Sequence, residues 1–181
     1  MRTLVLGGIR SGKSEWAEDA IAQSVPAGQP VRYLATGPSD PDDAAWAQRV
    51  ARHRDRRPAH WCTVETDDIA TQLRQSPHRP TLVDDLGGWL TRMLDRHDGW
   101  ADGSVAGPVA DMLGAVGDFG APLLLVSPEV GLTVVPATES GRRFADELGS
   151  LNQRVAAVCE EVVLVVAGQP LSIKPIKRPG V

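Results

Sequence analysis

Cysteine is scarce in this chain: two in 181 residues, Cys62 and Cys159. Neither stands at metal-ligand spacing from a partner, which excludes a zinc ribbon or a disulfide framework; reduced thiols in a cytoplasmic protein are expected. Long apolar runs are also missing. No stretch approaches the ~18 uninterrupted apolar residues of a membrane span, and the chain does not open with the layout of a signal peptide. Positive charge is not in excess. Nineteen Lys and Arg against 23 Asp and Glu leave a net charge of −4, so the electrostatic footprint of a nucleic-acid binder is absent. There are no internal repeats, low-complexity tracts or interdomain linkers. What is present, 42% hydrophobic and 23% charged residues, fits one domain over residues 1–181 with a sizeable core and a loose tail over 175–181.

The informative stretch comes first. Thr3-Leu4-Val5-Leu6 reads as an apolar strand, followed by Gly7-Gly8-Ile9-Arg10-Ser11-Gly12-Lys13-Ser14. Gly7, Gly12, Lys13 and Ser14 satisfy the phosphate-loop pattern G-x-x-x-x-G-K-[ST]. Glycines allow positive φ and bring backbone N–H groups close to phosphate oxygens. The helix that starts near Lys13, with Trp16, Ala17, Ala20 and Ile21 in its apolar pattern, points its positive dipole end at the same anion. Lys13 reaches the β- and γ-phosphates, and the Ser14 hydroxyl is a magnesium ligand. The strand before and the helix after the loop are the context the motif needs.

The rest alternates between strand and helix. Strands are expected over Val31–Ala35, Cys62–Glu65, Thr81–Asp85, Pro122–Ser127 and Glu161–Ala167, with an edge strand over Leu171–Lys174 after a turn at Gly168-Gln169-Pro170. Helices are expected over Ser14–Ser24, Asp40–His53, Asp67–Gln75, Leu86–Arg96, Val105–Phe119 and Thr138–Glu160. This predicts an α/β fold of the P-loop NTPase type: a mostly parallel central sheet covered by helices, with a C-terminal edge hairpin. Ligands of such sheets sit at the C-terminal strand ends, which makes Ala35, Thr36 and Gly37 candidates for the nucleotide pocket. Thr81-Leu82-Val83-Asp84-Asp85 is an apolar strand ending in acid, the Walker B arrangement, so Asp84 or Asp85 holds magnesium. The semi-apolar loop from Pro128 to Pro136 points to contact with a ligand or a neighbouring subunit. No Asn-Lys-x-Asp follows, and nothing short in the chain reads guanine.

A second unusual stretch runs from Arg49 to Trp61. It carries five arginines in an acidic protein, with His53 in its middle. As a helix end it suits the dipole; as a site it is an anion cluster beside an imidazole. Arg54, Arg56 and Arg57 can offset charge on phosphate. His60, between Pro58 and Trp61, has the place of a structural residue.

With these residues in view, the chain resembles the bifunctional adenosylcobinamide kinase and adenosylcobinamide-phosphate guanylyltransferase family (CobU type) from Leu4 to about Lys174. The resemblance rests on Gly7–Ser14, the Arg49–Trp61 run, Glu129-Val130-Gly131 with Pro136, and Leu151-Asn152-Gln153-Arg154. It implies that His53 becomes covalently guanylylated by GTP and passes GMP to adenosylcobinamide phosphate. It further implies that ATP or GTP phosphorylates adenosylcobinamide, and that the chain forms a ring-like homo-oligomer, a trimer. Catalytic roles then fall to His53 and Lys13. Nucleotide contacts fall to Gly7, Gly8, Ile9, Arg10, Ser11, Gly12, Lys13, Ser14, Ala35, Thr36, Gly37, Arg54, Asp55, Arg56, Arg57, Glu65 (on the ribose) and Asp84. Mg2+ falls to Ser14 and Asp84.

The chain departs from the family at Pro128, where Asn is usual, and at Asp85, Gly87 and Gly88, where cysteine and hydroxylated residues are usual. The paired glycines are expected to loosen a helix start, which bears on the kinase half of the activity. The competing readings are a small-molecule P-loop kinase with no covalent step and a nucleotide-binding module without catalysis.

Overall fold

The computed structural model describes residues 1–37 and 57–175. The helix expected over 40–53 and the tail beyond Pro175 lie outside the described residues. Among those described, seven strands form one sheet: β1 (Arg2–Gly7), β2 (Arg32–Ala35), β3 (Cys62–Glu65), β4 (Thr81–Asp84), β5 (Leu123–Pro128), β6 (Glu161–Val166) and β7 (Gln169–Lys174). Their order is β3-β2-β4-β5-β1-β6-β7. Every pair is parallel except β6 with β7. The helices are α1 (Lys13–Gln23), α2 (Ile69–Gln75), α3 (Leu86–Arg96), α4 (Ala106–Gly117) and α5 (Glu139–Val158).

The inner strands read as unbroken apolar runs because both of their faces are covered. On one face Leu4, Leu34, Val83, Leu123 and Leu125 pack with side chains of α2 to α5, among them Leu73, Leu90, Met112 and Leu148. On the other, Val5, Leu82, Leu124 and Val126 pack with Ala17 and Ile21 of α1. Successive residues of one strand thus feed different layers.

Three of the five described helices start on a side-chain cap, while α1 and α4 do not. Asp68, Asp85 and Thr138 each accept a backbone N–H three residues on, at 3.0, 2.7 and 3.1 Å. Capping by Asp68 moves α2 two residues past the expected start at Asp67. The loose opening expected at Gly87 and Gly88 does not form: α3 begins at Leu86, fixed by its Asp85 cap. The C-terminal turn also differs from expectation. Ala167 and Gly168 are its two central residues, both at positive φ, 50° and 76°. Gln169 and Pro170 already pair with Val166 and Val165 in β7. Two left-handed residues match the twist of a two-residue hairpin, and Pro170 is tolerated because β7 is an edge.

Both cysteines are free. Cys159 is buried, and burial pushes its thiol up to about 12. No helix among the described residues is long and apolar enough to cross a membrane.

The start of β1 is tied to the start of β6 by an ion pair between Arg2 and Glu160, in which Arg2 Nε donates to Oε1 at 3.0 Å. That hydrogen bonding holds the Glu160 carboxyl at about 2, below its ordinary 4.5. A depressed folded value means the pair stabilises fully above about 4.5 and is lost as pH falls toward about 2. The Glu160 side chain is 39% exposed, so solvent limits the contribution to about 1 kcal/mol or less. Glu160→Gln should lower the melting temperature at pH 7 by about 2–4 °C or less. Calorimetry at decreasing pH should show the variant and parent melting temperatures converging as the medium approaches about pH 2.

Candidate functional site

The parallel strands deliver their C-terminal ends to one edge of the sheet. Glu65, Ala35 and Asp84 lie at one register level across β3, β2 and β4. Gly7 lies level with Pro128 of β5 and Val165 of β6. The loop between β1 and α1 rises from this edge. Arg10 and Gly12 take positive φ, 57° and 90°, and Trp16 N–H closes the first helical bond on the Gly12 carbonyl at 2.9 Å.

Gly7 is demanded by space and Gly12 by its positive φ, whereas Gly8 faces open space. A Cβ on Gly7 would stand 2.3 Å from Ser11 Oγ and 2.8 Å from the Val165 carbonyl oxygen. A Cβ on Gly12 would stand 3.2 Å from Gly168 Cα. The loop is braced from two sides by backbone bonds: Gly168 N–H donates to the Ser11 carbonyl at 2.8 Å, and Glu129 N–H to the Gly7 carbonyl at 3.0 Å. The Lys13 ammonium lies over the loop, donating to the Gly8 carbonyl at 3.3 Å. Ile9 and Arg10 are exposed; Ser11 is buried; Ser14 is half-buried at the start of α1. A rigid backbone cradle with a lysine above it is an anion site for phosphate.

The two adjacent carboxylates divide. Asp85 Oδ1 accepts from Gly88 N–H and so caps α3. Burial raises the Asp85 carboxyl pKa, as does neighbouring Asp84, while Gly88 and Lys13 oppose the rise. Asp84 Oδ2 accepts a hydrogen bond from Tyr33 Oη at 2.6 Å. The Arg57 guanidinium lies 3.8 Å over the Tyr33 ring and donates to Thr63 Oγ1 at 2.7 Å. Burial, then the charge of Asp84, raises the Tyr33 phenol, so it remains a donor at physiological pH. Among the described residues no three His, Cys, Asp or Glu side chains converge as a metal cluster.

The other expected residues are placed as follows. Thr36 is fully buried and its hydroxyl donates to the Asp85 carbonyl at 2.5 Å; Arg92 donates to the Gly37 carbonyl at 2.6 Å. Their turn is therefore bolted to the β4–α3 corner and offers a ligand little beyond backbone. Glu65 is exposed at the end of β3. Leu132, Val134 and Val135 stand 77, 92 and 73% exposed in the loop after β5. His53, Arg54, Asp55 and Arg56 lie outside the described residues.

Sequence reasoning missed two supports, Tyr33 and Gly168, and named a third, Asn152, only within the stretch that carries the resemblance. Tyr33 reads only as a strand residue; the available signal is an aromatic two positions before Ala35, on the face beside Leu82 and Asp84. Gly168 reads as a turn, with nothing to announce that it braces the loop. Asn152 is buried in α5, accepting from Ser127 Oγ at 2.6 Å and donating to the Pro128 carbonyl at 3.0 Å. It fixes the end of β5 from behind.

The chain matches the family CobU, cobinamide kinase / cobinamide phosphate guanyltransferase, over residues 3–173. It is 42% identical over 177 residues to the bifunctional adenosylcobalamin biosynthesis protein CobP of Pseudomonas aeruginosa, covering 96% of this chain and 98% of that protein. It is 34% identical to CobU of Escherichia coli and 35% identical to CobU of Salmonella typhimurium, covering 96% of this chain and all of each relative. Among solved structures, an ATPase of a bacterial type III secretion system shares the fold with a TM-score of 0.55. That match has 11% identity and spans 94% of this chain and 56% of the ATPase.

Pro128 and Gly87 lie against each other. A Cβ on Gly87 would stand 2.8 Å from Pro128 Cγ and 3.1 Å from Cδ. The pyrrolidine ring has little freedom to yield, so Gly87→Ala should cost about 1–3 kcal/mol of unfolding free energy. Pro128→Ala removes the obstructing ring atoms. In a double-mutant cycle by denaturant unfolding, the pair should recover at least about 0.5 kcal/mol relative to additivity; strict additivity would refute the contact.

Proposed function

This chain belongs to the cobinamide kinase / cobinamide phosphate guanyltransferase family, and from that membership we propose how one phosphate cradle serves two transfers. The enzyme is a kinase and a guanylyltransferase of cobalamin biosynthesis. Its nucleotide lies with the triphosphate on the backbone N–H groups of Gly8–Ser14 and with Lys13 on the β- and γ-phosphates. In the kinase reaction the hydroxyl of adenosylcobinamide attacks the γ-phosphorus of ATP or GTP, and the nucleoside diphosphate leaves. In the second reaction a nitrogen of His53 attacks the α-phosphorus of GTP. A P–N bond forms, the bond to pyrophosphate breaks, and pyrophosphate leaves. A phosphate oxygen of adenosylcobinamide phosphate then attacks the same phosphorus. The P–N bond breaks, and adenosylcobinamide-GDP is released with the histidine restored. Two transfers through a reactive phosphoramidate replace one between two poor partners.

The donor set suits Mg2+: a serine hydroxyl and a carboxylate are hard oxygen ligands, and the cradle beside them is too tight for a Cβ at Gly7. Ser14 and Asp84 would hold the ion, while Asp85 caps α3. Held there, Mg2+ would supply positive charge to offset that of the phosphate oxygens. Arg54, Arg56 and Arg57 offset charge on the α-phosphate and leaving group. The observation that carries this reading is the position of Arg57. Its guanidinium lies on the ring that holds Asp84, and three intervening residues, at most ~14 Å of chain from Cα to Cα, separate it from His53.

The apolar loop over 130–136 forms one wall of the corrinoid site. The chain is a homo-oligomer, a trimer; the exposed Val166, Leu171 and Ile173 by the β7 edge support a covered face. A single species of monomer mass in sedimentation equilibrium would remove the oligomer.

GTP labelled at the α-phosphorus should leave a stoichiometric GMP adduct on the protein, discharged by adenosylcobinamide phosphate. His53→Ala should abolish the adduct while ATP-dependent phosphorylation of adenosylcobinamide persists. A label surviving in that variant overturns the histidine. Turnover of GTP without any protein label favours a kinase with no covalent step.

A further inference from the structure

We infer that Tyr33 is a positioning residue for the metal-holding carboxylate, fixing Asp84 so that one oxygen remains directed to the ion. The inference rests on the assignment of Asp84 to Mg2+ above. Tyr33 stands at the register level of Leu82, one diagonal away from Asp84, which lies level with Ala35. A side chain at that diagonal reaches its neighbour only if it is long and rigid, as tyrosine is. The phenol oxygen meets Asp84 Oδ2 at 2.6 Å.

The ring itself cannot wander. It is 3% exposed, packed in the layer under α1, and its open face carries the Arg57 guanidinium at 3.8 Å. Arg57 is in turn held by Thr63 on β3. A carboxylate at a strand end has free rotation about its last bond. One donated hydrogen bond removes that freedom, occupies Oδ2 and leaves Oδ1 for a ligand. Partners of this kind typically change metal affinity by about 10–100-fold when removed. Tyr33 therefore joins three strands at the site edge: β3 through Arg57, β2 by its own backbone, and β4 through Asp84.

The test uses binding rather than turnover. Affinity for α,β-methylene-GTP, whose bridging carbon blocks transfer of GMP to His53, is measured by calorimetry with Mg2+ and again with EDTA, for the parent, Tyr33→Phe and Asp84→Asn. The parent should gain affinity from Mg2+. Tyr33→Phe, which keeps the ring and its arginine, should lose about tenfold of that gain and keep the EDTA affinity. An undiminished gain in Tyr33→Phe overturns the inference and leaves the site assignment standing. An equal loss with EDTA overturns it too, because the phenol would then be serving the pocket in general. An undiminished gain in Asp84→Asn defeats the assignment of Asp84 itself.

A second measurement needs no substitution at Tyr33. It is the chain's one tyrosine, so 3-fluorotyrosine labels this ring alone. Its 19F resonance should move on addition of Mg2+ to the α,β-methylene-GTP complex of the parent and stay in place in Asp84→Asn. A resonance indifferent to Mg2+ in the parent refutes the positioning role.

Discussion

Everything at this site depends on a close approach of backbone to backbone. Phosphate recognition by N–H groups requires several amides aimed at one point, and amides hold their aim only if the chain carrying them cannot relax. Here the loop is clamped between its own first residue and its neighbours. Gly7 leaves no space for a Cβ against Ser11 and Val165, and Gly12 stands against Gly168. The Ser11 carbonyl receives Gly168 N–H at 2.8 Å. The hairpin of β6 and β7 thereby acquires a use beyond ending the sheet: its two left-handed residues present one N–H to the loop. Stiffness is supplied by the C-terminal part of the chain to a motif in the N-terminal part.

How much of this was legible follows from the range of the forces involved. Elements whose identity is local came out of the sequence nearly residue by residue. Leu86–Arg96 forms the helix its periodicity predicts, and the apolar runs at 3–6 and 122–127 form buried strands. Caps moved boundaries by one or two positions, because a carboxylate such as Asp68 competes with the helix for the first N–H. The phosphate loop was legible because its chemistry requires certain residue types at fixed spacing. The bond from Tyr33 to Asp84 and the seat of Asn152 behind Ser127 join residues far apart in sequence. No local pattern encodes them; only strand order and register bring them together.

Pro128 and Gly87 make sense only as a pair. In the sequence a proline at 128 and a glycine at 87 look unrelated, and the glycine looks only like a loss of helix propensity. In space the ring of Pro128 fills the volume that a side chain at Gly87 would need, and Gly88 allows the Gly37 backbone to approach in the same way. The propensity lost at the start of α3 is offset by the Asp85 cap. A residue that seems to weaken one element is thus a condition for the packing of two others.

The adjacent acids show the same economy of geometry. Two carboxylates side by side near an anion site repel each other and the substrate alike, unless one of them is withdrawn. Asp85 is withdrawn: its oxygen is bound to the first turn of α3, and burial raises its pKa, which favours its neutral form. Asp84 keeps its place at the strand end, bonded to a phenol that donates without bringing charge of its own. Arg57 brings positive charge near, but over the ring rather than onto the acid. Had the arginine paired with Asp84 directly, it would have neutralised the carboxylate and competed with any cation for it. A neutral donor orders the same carboxylate and leaves its charge available, and that difference is the physical argument for a tyrosine at this position.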